Sequence, residues 1–431
     1  MNPVNAPTFE GLASTLIAAT PTSEANFFGF YDICPFSPSN EELVLLSCPG
    51  DFLKMPAGEV ATVRVWNPEN DTFDTVGETR GWNWQHGARQ QWLSDGTILF
   101  NDLENGRQVA RHVGRDGRMI RTIPMAVGAL NAAETIAVSG NYERLAKYYD
   151  TYGYHAARND HIDQSPQTDG LWAVDIATGN VRLLLSYSRI AEEIGVEYKP
   201  STFVSHPDFA PGGDIVSFFH IDAGARDTSF MRLLAYRFST DELTLIGEEK
   251  VSHPAWIDDN RLWTWVRQSS ALKFVSRGGL LALPGVRPLA RLARRLMGSS
   301  ANALLDEGFF VVQLDGTNSR RRVAADSITE DGHFSKHPEF ELMLGDTYPD
   351  EVDNRLTLLL YSLAHDRRVP IARILHDVRT NDSRLRCDLH PRWDRTGARA
   401  CFDFMHEGVR RVGIVDARQG MAAAGFVPMP A

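Results

Sequence analysis

The sequence predicts an all-β, seven-bladed β-propeller with a helical basic insertion in its fifth blade. Two observations lead there. A short pattern (a His or polar start, an aromatic, a turn and an apolar strand) recurs through the chain. A further strand pair around a second Gly/Asp/Asn/Pro turn follows each copy, giving four strands about every 40–60 residues. One such four-stranded unit cannot bury both of its faces, so neighbouring units must stack around an axis.

The copies run in order. Ser14-Thr-Leu-Ile-Ala-Ala-Thr20 is a lone strand that we assign to closing the last, incomplete repeat. The first start is at Cys34, followed by the pair around Val63-Arg-Val-Trp-Asn-Pro-Glu-Asn-Asp-Thr72. Looser starts follow at Gln90 and Leu130, the latter continuing through the long connection Asn141–His155 to Leu171-Trp-Ala-Val-Asp. His206-Pro-Asp-Phe, His253-Pro-Ala-Trp and His390-Pro-Arg-Trp are the clearest copies, with His333-Phe-Ser-Lys-His-Pro between the last two. Strand-start Trp92, Trp256 and Trp393 are expected in the blade-to-blade core, and Cys387 and Cys401 as small buried residues. The final repeat runs out near Ala417. Residues 1–431 are accordingly read as a single propeller domain interrupted by 270–305. That stretch holds Lys273, Arg277, Arg287, Arg291, Arg294 and Arg295 without an acidic residue, so a basic amphipathic helix is expected there, either a solvated excursion from the blade or a contact for an anionic membrane or a protein.

Composition narrows the function classes. A formal charge of −11 disfavours a nucleic-acid binder, whose affinity rests on neutralising phosphates. The N-terminus lacks a basic segment followed by an apolar one, and four cysteines in 431 residues do not make a disulfide framework. A soluble cytoplasmic protein is the expectation. There is no Gly-x-Ser-x-Gly elbow, phosphate-cradling loop or dinucleotide fingerprint.

The polar residues carry the functional signal. If the first strand of a blade crosses the disc and the second returns, residues before the first and after the second share one face. This rule gathers His206, His220, His253, His333 with Asp346 and Tyr348, His390, His406, and His86 with Asn101 and Asp102. So many titratable groups at one mouth form the constellation expected of a site. His333, Asp346 and His390 offer two imidazoles and a carboxylate, suited to zinc or manganese.

Several segments together resemble the propeller-type polysaccharide lyases, the oligogalacturonate and ulvan lyases. They are Asn26-Phe-Phe-Gly-Phe-Tyr-Asp32, Trp84-Gln-His-Gly-Ala-Arg-Gln-Gln-Trp92, Phe100-Asn-Asp, Tyr152-Gly-Tyr154, Val251–Trp256, Gly345–Asp350, Arg386–Trp393 and Met405-His-Glu-Gly. The resemblance implies β-elimination on a uronate-containing oligosaccharide or polysaccharide. His206 or His253 would then be the base, Tyr154 the acid and Arg232 or Arg226 the neutraliser of the carboxylate. His86 and His220 complete the implied catalytic set, and His333, Asp346 and His390 match metal-associated positions. The sequence departs from such relatives in the His333 copy and in Ile221-Asp222, which follow His220 where basic and aromatic residues would stand. A non-catalytic propeller that binds a glycan or protein partner is the alternative.

Overall fold

A computed structural model describes residues 8–48, 58–157, 162–224, 229–267, 307–377 and 383–427. The strands assemble into seven antiparallel sheets around one axis, and the molecule is a seven-bladed β-propeller. The innermost strands, in blade order, are Ala25–Phe27, Gln91–Trp92, Ala129–Leu130, Thr202–Phe209, Val251–Trp256, Phe334–Lys336 and Arg392–Trp393. The second strands are buried on both faces, as Leu43–Cys48 and Ile215–Asp222 illustrate, because each is sandwiched between neighbouring blades. Asp71, Asp241 and Asp366, all with positive φ, close the outer hairpins, and Asn105 and Asn354 the middle ones, where their short polar side chains tolerate the left-handed region.

The strand-start tryptophans pack as expected. Trp92 of blade two joins the cluster of Val44, Leu46 and Val63 from blade one. Trp256 of blade five packs with Ile215, Phe219 and Leu233 of blade four, and Trp393 of blade seven with Leu342, Leu344 and Leu358 of blade six. Each tryptophan thus fastens its blade to the preceding one, and removing such a side chain costs about 3–5 kcal/mol.

Closure uses the N-terminal segment twice. Thr15–Ala19 pairs with Val409–Asp416 as the outer strand of blade seven, which is the role the sequence assigns to Ser14–Thr20. Phe9–Gly11 adds an unanticipated fifth strand to blade six through Ile374–Ala372. In blade five Arg267 stands opposite Glu307 in register, so the intervening connection leaves and returns at one point of that blade. The expected basic helix of 270–305 lies outside the described residues. A short helix, Tyr142–Tyr148, capped by the Asn141 side chain, sits instead in the long connection of blade three. Among the described residues no helix is long and apolar enough to cross a membrane.

Candidate active site

The axis of the ring is filled rather than hollow. After the innermost strand of blade one, residues 28–32 turn into the channel and place Phe30 at its centre. The Phe30 ring meets His86, His206, His333 and His390, with centroids 4.5, 5.3, 6.0 and 4.8 Å away, and Tyr152 at 6.4 Å. Gly29 permits this turn: its φ is +108°, and a Cβ there would lie 2.8 Å from the His86 carbonyl. Anchors come from all sides. The Phe28 and Gly29 amides donate to Asp403 at 3.1 and 3.2 Å, and the Tyr31 hydroxyl donates to the Pro254 carbonyl at 3.1 Å. Asp32 takes a bidentate ion pair from Arg89 at 2.9 and 2.6 Å.

Around Phe30 the chain sets its histidines in an unusual backbone state. His206, His253 and His390 have φ of 50°, 46° and 43°, and each precedes a proline. In blades four and five the ladder slips at these residues, between Ser205 and Asp208 and between Ser252 and Ala255. The His-Pro pair is thus a bulge in the innermost strand, where proline's missing N–H leaves no ladder bond unmet. The bulge turns each imidazole toward the axis. Left-handed backbone at a non-glycine residue costs about 1–3 kcal/mol and clusters at functional sites. The sequence rule expects these histidines at the rim before the strand. His206 and His253 instead lie within it, deeper in the channel.

Every one of four imidazoles has its Nδ1 occupied. His253 Nδ1 donates to Asp331 at 2.8 Å, His333 Nδ1 to Asp346 at 3.0 Å and His390 Nδ1 to the Gly29 carbonyl at 2.8 Å, while His206 Nδ1 lies 2.6 Å from Ser205 Oγ. A carboxylate or carbonyl can only accept, so His253, His333 and His390 carry their proton on Nδ1 and keep the Nε2 lone pair free. The rings of His253 and His390 each lie 4.4 Å from that of His333, and His206 lies 4.5 Å from His86 and from Tyr152.

Burial sets the charge states. It holds the His206 imidazole down to about 3, with Arg89 and His253 adding to the effect, and places His86 and His390 well below the ordinary range. At His333 burial is outweighed by Asp346, which raises the imidazole. Asp388 is likewise buried, yet Arg386 and then His333 hold its carboxyl far below the usual range. Arg386 forks onto Asp388 at 2.6 and 2.8 Å and lies flat over Tyr348, 4.4 Å from its ring centre.

The structure brings His86, His206, His253, His333 and His390 together and separates the others. Tyr154 is fully buried, stacked on Tyr142 at 4.4 Å, and its hydroxyl oxygen accepts from Asn101. Tyr152, two residues earlier, is the phenol beside the imidazoles. His220 and Arg232 face the gap toward blade three, where Arg232 donates to Asp222 at 3.0 Å and His220 lies 6.5 Å from the Tyr187 ring. Arg226 lies outside the described residues. Asp346 supports both histidines from behind, on His333 Nδ1 and on the His390 amide at 3.1 Å. The carboxylate that converges with His333 and His390 is Asp388, the three offering ligand atoms within 4.8 Å of one another. His406 binds Thr8, and Asp102 pairs with Arg111. Asp388, Arg386 and Tyr152 stand inside quoted segments, but no spacing singled them out.

A cavity of about 570 Å³ lies among the turns joining first and second strands, with Tyr31, Asp208, Trp256, Lys336 and Arg392 in its wall. Burial and the neighbouring Asp32 raise the Asp208 carboxyl to about 7. Tyr31, which also packs on His333 at 5.4 Å, is the partition between this cavity and the imidazoles.

This propeller thus carries at its axis ordered imidazoles, a buried carboxylate and a partly exposed arginine. Among solved structures it is similar to an oligogalacturonate lyase in complex with manganese, with a TM-score of 0.59 and 14% identity over 95% of this chain and 96% of that one. An oligogalacturonate lyase from Vibrio parahaemolyticus matches with the same score, identity and coverage. The likeness is one of fold, the seven-bladed ring. No family model matches the chain, and no curated protein matches it in sequence.

A divalent cation suits His333, Asp388 and His390. His390 Nε2 is buried without a hydrogen-bond partner, and second-sphere acceptors fix both imidazole tautomers, as metal ligands require. Two nitrogens and one carboxylate oxygen fit manganese or zinc.

Proposed function

We propose that this protein is a lyase that cleaves a uronate-containing oligosaccharide by β-elimination, assisted by a divalent cation at His333, Asp388 and His390. The observation carrying the reading is the set of axial imidazoles with Nδ1 committed and Nε2 open. Of the two histidines considered as base, His253 suits the role better. Asp331, itself held by Ser252 at 2.5 Å, orients it, whereas burial makes His206 a weak base. His253 Nε2 takes the proton from carbon five, the electron pair forms the carbon–carbon double bond, and the bond from carbon four to the glycosidic oxygen breaks. Burial, with nearby Tyr149 and Asp388, keeps the Tyr152 phenol protonated, so it can return a proton to that oxygen. Arg386, half-exposed at the same site, pairs with the uronate carboxylate in place of the sequence-predicted Arg232. The cation, when bound, adds electrostatic stabilisation of the enolate-like anion.

We place the reaction in the cytoplasm, supported by four cysteines that are all free thiols in the fold. The test is to incubate metal-loaded protein with a panel of uronate glycans and follow the ultraviolet absorbance of the unsaturated product. Wild type should generate it with one substrate class and His253→Ala should not. A second reading, a non-catalytic glycan-binding propeller, is favoured by the burial of His86, His333 and His390, each only 3% exposed. Glycan binding without product would select it.

A further inference from the structure

Resting on the metal-assisted reading, we propose that Arg386 is a gated receptor for the substrate carboxylate, closed by Asp388 until a divalent cation draws that carboxylate away. The two residues of the pair differ sharply in exposure: the Arg386 side chain is 34% exposed and that of Asp388 only 2%. Without a cation, Arg386 Nε and Nη2 hold both oxygens of Asp388, so its fork is spent inside the protein. The same Asp388 stands within ligand distance of His333 and His390. One buried carboxylate therefore lies between two positive claimants, the guanidinium on its outer side and the cation site on its inner side.

The dication holds the stronger claim, because it carries twice the charge and two imidazoles share its binding. Once it is bound, Arg386 feels its repulsion and less of the carboxylate's attraction. It already lies over Tyr348, a surface that steadies a guanidinium by cation–π contact as it turns outward. The released fork matches a carboxylate bidentately. A uronate carboxylate then pairs with Arg386 beside His253, the base. Metal and acidic sugar should consequently bind with positive cooperativity, each raising the affinity of the other by the same factor.

The test uses the full metal-stripped chain and calorimetric titration with Mn²⁺ alone. Arg386→Met removes the competitor for Asp388, so Mn²⁺ should bind at least tenfold more tightly than to wild type. An arginine that merely positions Asp388 predicts weaker binding, and that result overturns the proposal. In a second titration, Mn²⁺ should raise the affinity of wild type for D-galacturonate at least tenfold and leave neutral D-galactose unaffected. Arg386→Met should lose this enhancement, and its persistence would refute the receptor role. Arg386→Lys keeps a charge without the fork and decides the sign of the metal effect should the methionine variant fail to fold. Wild type that binds no Mn²⁺ overturns the metal centre and the gate together. Unsaturated product formed by such a protein would still uphold the lyase.

Discussion

The axial cluster and the blade-four cluster use the same residue types in different ways. In blade four His220, Arg232, Asp222 and Thr202 form a set centred on one carboxylate: Asp222 accepts from Thr202 at 2.6 Å and from Arg232 at 3.0 Å, with Lys199 also near. Burial pushes the His220 imidazole down to about 4, and no third ligand joins it and Asp222 among the described residues. At the axis, by contrast, imidazoles converge: the rings of His253 and His390 each lie 4.4 Å from that of His333, and His333 and His390 meet Asp388. The unpartnered Nε2 of His220 has no such group around it among the described residues. Local charge balance makes the first cluster a strut, and the convergence of several imidazoles with a carboxylate makes the second the candidate site.

The sharpest way to break this contrast is to delete one histidine from each side. His253→Ala should lower turnover about 10²–10⁴-fold, as loss of a general base does. His220→Ala should leave the rate within a few-fold, and equal losses would erase the distinction. The next largest effect should be on stability. Arg232→Met strands the buried charge of Asp222 and should cost about 3–5 kcal/mol in urea unfolding, with activity retained wherever the protein is folded.

The two tyrosines refine the comparison. Tyr152→Phe should reduce turnover about a hundredfold at unchanged stability. Tyr154→Phe, which removes an acceptor from Asn101, should cost about 1 kcal/mol and leave turnover intact. Steady-state kinetics and melts on the same preparations separate the two.

The last expected effect is a pH slope in stability. The imidazoles of His86 and His206 have native values below the unfolded one of about 6.5, so folding favours their neutral forms. Their contribution is present above pH 6.5 and lost as pH falls toward 3, by up to about 1.4 kcal/mol per pH unit for each group. Denaturant titrations of metal-free protein at pH 7, 6 and 5 measure the slope, and a flat profile would place both rings in contact with solvent.

The fold was legible because propeller blades repeat a local rule. The His-Pro-aromatic starts mark the innermost strands, and the turn residues mark the hairpins. The lone strand at Ser14–Thr20 matched the missing edge of the final repeat. The site was legible only in part. His206, His253, His333 and His390 stood out because each opens a repeat, which fixes its place in the blade. Tyr152 and Tyr154 lie in a connection without strand alternation, so no periodicity says which of them faces the axis. Phe30 was hidden for another reason: its position depends on Gly29 adopting positive φ and on Asp403, from blade seven, holding the Phe28 and Gly29 amides. Asp388, not Asp346, converges with His333 and His390 because Asp346 is spent on His333 Nδ1 and the His390 amide, a tautomer choice invisible in the sequence.

The N-terminal double clasp has a consequence for biogenesis. Phe9–Gly11 and Thr15–Ala19 find their strands only in the last two blades. During synthesis these segments emerge before the strands they pair with and wait, edge-exposed, until blades six and seven have left the ribosome. Contacts that span so much of the chain form slowly. A nascent protein stalled before its last two blades would carry two unpaired strands, a natural target for chaperones or for pairing with another copy.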